Sequence, residues 1–280
     1  MLALDLDGTI LSSDGTVSQR TLDAVRAASA AGYRICVATG RNYTESRFAI
    51  ERLSIRGECI FVGGAIVIDT ATGRTLHRTA MDSAIAAEVC ALFESLGHAA
   101  LALQDTFESG LDYLITKSIP IRLATRAWMD AMEMGIEYVP SLGSHLHRHT
   151  LRVGVCCETP EADAVMEQLQ RHFGNRTMMH RLRVPGAQCE VVEVFDPAVS
   201  KWEGINFIIG RNHIAPHQVI AVGDDMNDLQ MIQHSGLGVA MGNARPALKQ
   251  AADLVIGENS ENGLAVFLEE LLSGKYEAAA

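Results

Sequence analysis

Two short acidic clusters have the residue types and spacing of a reacting pair and a cation seat. Asp5 and Asp7 lie in Asp5-Leu6-Asp7-Gly8-Thr9, directly after an apolar run. Residues two apart on an extended chain face the same side, so one of these carboxyl groups can attack a bound group while the other donates a proton. The second cluster, Asp224-Asp225-Met226-Asn227-Asp228, follows the apolar run Val219–Gly223. Carboxylates gathered at one place repel one another unless a cation sits among them, and hard oxygen donors of this kind suit magnesium. Each cluster alone also has a plainer reading. Asp-Gly is ordinary turn chemistry, and acidic residues such as Asp225 and Asp228 favour a helix N-terminus. The second reading accounts less well for Asp224.

Ala38-Thr39-Gly40-Arg41 ends another apolar run and combines a hydroxyl, backbone N–H groups made approachable by Gly40, and a guanidinium fork. That set suits phosphate oxygens. The role of Arg41 stays open between substrate binding and a structural ion pair. Lys201 falls at the start of an expected helix, where the helix dipole mildly disfavours a cation, which favours a function somewhat over a solvated surface lysine, although a single lysine there most often has no role.

The elements that must position these residues follow from the hydrophobic pattern. Strands are expected at Leu2–Leu6, Tyr33–Ala38 and Cys59–Val62, with a helix between Ser18 as N-cap and Gly32 past its end. Ile66–Asp69 and Arg74–His77 read as a hairpin. From about Met81 to about Gln188 the alternation changes to helices near Ser83–Leu96 and Glu161–Phe173, and strands near Ala99–Leu103, Leu151–Cys157 and Arg176–Leu182. The βα rhythm then resumes with a strand Glu190–Phe195, a helix Lys201–Gly210, a strand Gln218–Val222, a helix Asn227–His234 and a strand Leu237–Ala240. The expected fold is α/β, a Rossmann-like parallel-sheet core of residues 1–80 and 189–280 with an inserted α+β cap at 81–188. Its acidic clusters then lie at strand ends, where open α/β sheets bind ligands. The Ala-rich end, Ala278–Ala280, is expected to fray.

Composition narrows the class. The chain has 280 residues, 48% of them apolar, and a formal charge of −11. That charge opposes sequence-independent binding to nucleic acid or to an anionic membrane. No uncharged apolar run reaches the roughly 18 residues of a membrane span, and Met1-Leu2-Ala3-Leu4 meets Asp5 too soon for a signal peptide. A cytoplasmic protein is expected. Six cysteines form no CxxC pair and read as reduced core residues.

Taken together and in order, Asp5-Leu6-Asp7-Gly8-Thr9, Thr39-Gly40-Arg41, Lys201 and Gly223-Asp224-Asp225-Met226-Asn227-Asp228 resemble the four motifs of the haloacid dehalogenase superfamily. The insert, Val199-Ser200-Lys201 and the run Val239–Ala244 extend the resemblance to its Cof-like type IIB phosphatases over nearly the whole chain. The resemblance implies magnesium-dependent hydrolysis of small phosphorylated metabolites, sugar phosphates first among them. In it Asp5 is the nucleophile that forms an aspartyl-phosphate, and Asp7 is the general acid and then the base. Thr39, Gly40, Lys201 and Asn227 bind the phosphoryl group, with Arg41 near the substrate. Magnesium is held by Asp5, Asp224 and the backbone carbonyl of Asp7, supported by Asp225 and Asp228. The cap faces the leaving group, so polar positions such as Arg122 and His147 are expected to set substrate preference.

Two departures bear on that preference: Gly63-Gly64-Ala65 stands where relatives usually carry Asn-Gly-Ala, and Trp202 follows Lys201 in place of Gly. His145, His147 and His149 alternate and would share one face of an extended chain, as metal ligands or as cap-surface or substrate contacts; the plainer reading is a solvated polar strand or loop. Competing functions are a sugar phosphomutase with the same aspartyl-phosphate and a non-enzymatic receiver-like phosphoacceptor. Receivers lack an acid two residues beyond the acceptor Asp and have no large insert, so Asp7 and the insert argue against the latter.

Overall fold

Short, almost wholly apolar segments form the sheet that carries the motifs. Leu254–Val255, Leu237–Ala240, Ile220–Gly223, Leu2–Leu4 and Ile35–Val37 lie side by side in that order, every neighbouring pair parallel. Leu2, Ala3, Leu4, Val37, Val222 and Val239 are fully buried, as expected for parallel strands covered on both faces. The computed structural model describes residues 1–12, 14–183 and 189–276. They fall into two compact units, Met1–His77 with Ser200–Ala280, and Arg78–Val199.

Local chemistry places the elements of the first unit. Ser18 caps the helix Gln19–Ala30 by accepting from the Thr21 N–H, and Leu22, Val25 and Ala28, three residues apart, face inward. Gly32, at φ +96°, turns the chain back toward the strand Ile35–Val37. The expected hairpin is present as Ile66–Asp69 and Arg74–Arg78, joined by Glu58–Phe61 in a three-stranded sheet. The helices Tyr43–Leu53, Pro246–Ala251 and Gly263–Leu272 were not among the expected elements.

The second unit is a six-stranded sheet in the order Met178–Arg183, Glu190–Phe195, Thr150–Cys157, Leu101–Gln104, Tyr113–Thr116, Ile136–Val139. Its neighbours pair antiparallel except for the last two strands, which are parallel. Val153, Val155 and Cys157 alternate toward one face and meet Val192 and Val194, the helix Ser83–Ser95 through Val89 and Phe93, and the helix Thr159–Phe173 through Val165 and Leu169.

Glu190–Phe195 corrects the expected boundary near Gln188. It does not join the parallel core but pairs antiparallel with Met178–Arg183 and Thr150–Cys157. Two strands separated by only six residues can pair antiparallel, whereas a parallel partner needs a long crossover. The boundary residues 184–188 and the Ala-rich end lie outside the described residues.

The histidines do not share a strand face. They lie in the loop before Thr150–Cys157, and His147 is buried. Its Nε2 donates to the Leu142 carbonyl at 2.9 Å and its Nδ1 lies 2.9 Å from Thr150 Oγ1, while His149 Nδ1 lies 3.0 Å from an Arg78 guanidinium nitrogen. His147 therefore serves the loop, which corrects its expected place among substrate-facing positions. Arg122 pairs with Glu158 at 3.1 Å and with Glu161. All six cysteines are unbridged. Among the described residues no helix is long and apolar enough to cross a membrane.

Candidate active site

Because the central strands are parallel, their C-terminal ends gather at one edge of the sheet, and the motifs of Asp5, Thr39 and Asp224 hang from that edge. Asp5 follows Leu2–Leu4, its N–H donating to the Val222 carbonyl at 2.9 Å. Thr39 follows Ile35–Val37, with the Ala38 N–H on the Leu4 carbonyl at 2.9 Å. Asp224 follows Ile220–Gly223.

Lys201 opens the helix Lys201–Arg211, which Ser200 caps. Its side chain is 1% exposed, and Nζ lies 2.5 Å from Asp5 Oδ1 and 2.6 Å from Asp228 Oδ1. The ammonium is thus held by two buried carboxylates, which explains why a cation is tolerated at a helix start. The close approach depends on Gly64: a Cβ there would stand 1.9 Å from the Ser200 carbonyl oxygen. The second oxygen of Asp228 accepts from the N–H groups of Asp224 at 2.9 Å and Asp225 at 3.1 Å. Asp228 is therefore a brace joining the lysine to the loop that carries Asp224.

Charge is unbalanced at this centre. Asp5, Asp224 and Asp228 bring ligand atoms within 4.8 Å of one another, against one ammonium. Burial pushes the Lys201 ammonium down, but Asp228 and Asp5 outweigh that and raise it. Burial, then Asp228 and Asp225, push Asp224 up to about 7. The Asp5 carboxyl is also pushed up, by burial first, with Lys201 opposing and Asp228 and Asp224 adding to it. For both carboxyls burial is the larger cause, and the neighbouring carboxylates add to it against Lys201.

The donor set fits magnesium. It is all oxygen, and Asp228 is already committed to Lys201 and two backbone N–H groups, leaving Asp5 and Asp224 as the side-chain donors. Asp224 also fills a cradle prepared for it, since a Cβ on Gly8 would lie 2.1 Å from its Oδ2.

Asp7 is turned to Arg41, which grips both of its oxygens, Nε to Oδ2 at 2.8 Å and Nη2 to Oδ1 at 2.5 Å. In this structure Arg41 is an ion-pair partner of the expected acid. Thr39 is fully buried, and its Oγ1 accepts from the Arg41 N–H at 3.1 Å. A Cβ built on Gly40 would lie 3.9 Å from Nδ2 of Asn227, so Asn227 stands beside the phosphate-type loop. Asp225 turns its carboxylate outward to Arg245 Nε at 3.1 Å, while its backbone N–H stays on Asp228.

Val62 donates to the Arg41 carbonyl at 2.8 Å and Gly63 to the Thr39 carbonyl at 2.9 Å. Val62 has φ +54°, a strained conformation for a β-branched residue, and Gly63 follows at φ +65°. That left-handed conformation admits Gly and Asn alike, so the departure at Gly63 removes an amide and keeps the turn. Trp202 is buried and its ring lies 5.5 Å from that of His234.

Asn243 lies in the run Val239–Ala244 that extends the resemblance, but the sequence reading gave it no role. It sits just past Leu237–Ala240, another strand ending at the same edge, and that position was the available signal. Its Nδ2 donates to the Gly8 carbonyl at 2.8 Å and to Asp224 Oδ2 at 3.3 Å.

Residues 2–268 match the model of the haloacid dehalogenase-like hydrolases, and the chain belongs to that family. It is 27% identical to a 5-amino-6-(5-phospho-D-ribitylamino)uracil phosphatase of Bacillus subtilis, over 98% of this chain and 97% of that one. It is 26% identical to a pyridoxal phosphate phosphatase of Escherichia coli, over 96% and 97% of the two chains. Its fold matches the crystal structure of a haloacid dehalogenase-like hydrolase from Bacteroides thetaiotaomicron, with a TM-score of 0.81 at 20% identity, over 96% and 98% of the two chains. The chain is an enzyme of the phosphoric monoester hydrolase class.

Proposed function

We propose that the chain hydrolyses phosphate monoesters of small metabolites in a magnesium-dependent reaction through an aspartyl-phosphate on Asp5. The observation that carries this reading is the buried Lys201, bonded to Asp5 and Asp228 and set beside Asp224. Asp5 and Asp224, with the Asp7 carbonyl, would hold the magnesium ion, whose charge offsets that of the carboxylates and of the phosphate.

Asp5 attacks phosphorus as the bond to the leaving oxygen breaks, and Asp7 gives that oxygen its proton. Water then attacks the phosphorus, Asp7 takes its proton, and the bond to Asp5 breaks to release phosphate. Lys201 spends two of its three N–H donors on Asp5 and Asp228, which leaves the third for a phosphoryl oxygen. Thr39 and Gly40 serve the remaining oxygens, with Asn227 beside them. To act as acid, Asp7 gives up one of its bonds to Arg41.

The substrate class follows the relatives, which are named for a phosphorylated ribityl compound and for pyridoxal phosphate. Sugar phosphates are the first candidates. Since the phosphoryl chemistry needs only residues of the first unit, selection of the leaving group is assigned to the second. The test is phosphate release across a panel of phosphorylated metabolites, by wild type and Asp5→Asn, with and without magnesium. Release by wild type alone, and only with the metal, is expected; equal release by both proteins overturns the assignment. A rearranged phosphate ester without free phosphate identifies a mutase instead.

A further inference from the structure

Asn243 joins three segments that the metal reading needs to keep in register. Its Nδ2 donates to the Gly8 carbonyl at 2.8 Å, on the residue directly after Asp7, and to Asp224 Oδ2 at 3.3 Å. Its Oδ1 accepts from the Asn259 N–H at 3.0 Å, which fixes the direction of the amide. The surrounding backbone reinforces the tie: Met241 donates to the Gly223 carbonyl at 3.0 Å and Arg245 to the Asp224 carbonyl at 2.9 Å.

The chemistry of an amide suits this place better than any charged side chain. A lysine or arginine here would satisfy Asp224 electrostatically and compete with a bound cation, and an aspartate would add charge to a centre already overloaded with carboxylates. An amide donates to the carboxylate and leaves its charge in place. Its bond to Oδ2 also acts on the oxygen seated over Gly8, where a side chain would leave no room.

We propose that Asn243 is a positioning residue for the magnesium site, fixing the rotation of the Asp224 carboxylate and, through the Gly8 carbonyl, the loop that presents Asp7. The inference rests on the metal-dependent reading above and deepens it. Outer partners of metal ligands are typically worth about 10- to 100-fold in metal affinity, and that is the scale expected here.

The experiment measures Mg²⁺ binding by calorimetry and Mn²⁺ binding by electron paramagnetic resonance on the full chain, without substrate. The proteins are wild type, Asn243→Ala, Asn243→Ser and Asn259→Ala. Asn243→Ala is expected to bind both ions about 10- to 100-fold more weakly, while its unfolding midpoint in chelator stays close to wild type and its rise on adding Mg²⁺ shrinks. Asn259→Ala keeps the backbone N–H that Asn243 accepts from and removes only the Nδ2 bond to the Leu11 carbonyl at 3.1 Å, so its loss of metal affinity is expected to be smaller than that of Asn243→Ala. Asn243→Ser, too short to reach both acceptors, serves if the alanine variant fails to fold. Wild-type affinity in a folded Asn243 variant overturns the inference while leaving the metal reading intact. Failure of the wild type to bind either ion overturns the metal reading and the inference with it.

Discussion

Asp228 faces Lys201 across 2.6 Å, with neither side chain reaching solvent. A buried charge pair of this kind gains little net stability over a well-packed apolar pair, yet breaking it by removing one partner typically costs about 3–5 kcal/mol. Lys201→Met strands Asp5 and Asp228 together without their counter-ion. We expect a loss of that size at neutral pH, together with loss of turnover, read from urea unfolding and phosphate release. A variant as stable as wild type would show that the carboxylates do not depend on the lysine.

Asp5→Asn acts in the opposite sense. It removes a charge from a centre where burial and the neighbouring carboxylates push the Asp5 carboxyl up. In chelator, the expected unfolding midpoint equals or exceeds that of wild type, while turnover disappears because an amide cannot serve as the nucleophile. A clear drop in the midpoint would mean that Asp5 carries the fold as well as the chemistry.

The contrast between these variants marks what the sequence can reveal. The types and order of Asp5, Thr39 and Asp224 were legible because each follows an apolar run that becomes a parallel strand, and parallel strands end at one edge, whereas Lys201 was legible as a cation at a helix start, in its place within the order of motifs. What Lys201 touches was not legible, since its partners lie 196 and 27 residues away. The bond of Arg41 to Asp7 was equally hidden, as was the role of Asn243, whose acceptors belong to two other strand ends. Glu190–Phe195 misled because its apolar alternation fits either sheet, and only pairing decides between them. The histidine alternation would gather the rings on one face only of an extended chain, and the segment is instead a loop, which the plainer reading allowed.

Chelation tests the charge balance directly. With its metal removed the enzyme is expected to be silent, and Mg²⁺ should both restore phosphate release and raise the unfolding midpoint. Stabilisation by a ligand that binds only the folded state reaches about 2.7 kcal/mol at a hundred times its dissociation constant. Full activity in excess chelator would remove the metal from the reaction.

His147 makes stability in the second unit depend on pH. Burial holds its imidazole below the ordinary value of 6.5, against the bond to the Leu142 carbonyl, which raises it. The unfolded chain therefore binds the proton more readily, and stability is lost as the pH falls from 6.5 toward the lower folded value, having been complete above it. Urea midpoints compared at about pH 7.5 and 5.5 should fall on acidification in wild type and fall less in His147→Gln. An equal fall in both proteins would assign the dependence to other groups.

Gly8 and Gly15 offer a matched pair for testing whether Asp224 sits in a made-to-measure seat. Both have φ +77°, so an alanine at either carries the same left-handed strain, about 1–2 kcal/mol. Their surroundings differ: a Cβ on Gly15 meets nothing within 4 Å, whereas one on Gly8 lies 2.1 Å from Asp224 Oδ2 and 2.7 Å from its Cγ. Gly15→Ala is therefore expected to lower stability by about the strain alone and to leave the magnesium requirement unchanged. Gly8→Ala adds displacement of the Asp224 carboxylate, and the magnesium concentration for half-maximal phosphate release should rise by about tenfold or more. The comparison is made at equal substrate, with each variant's unfolding midpoint measured alongside. If both variants shift the magnesium requirement equally, the cause is backbone strain in the loop after Asp7, and the seat over Gly8 contributes nothing of its own.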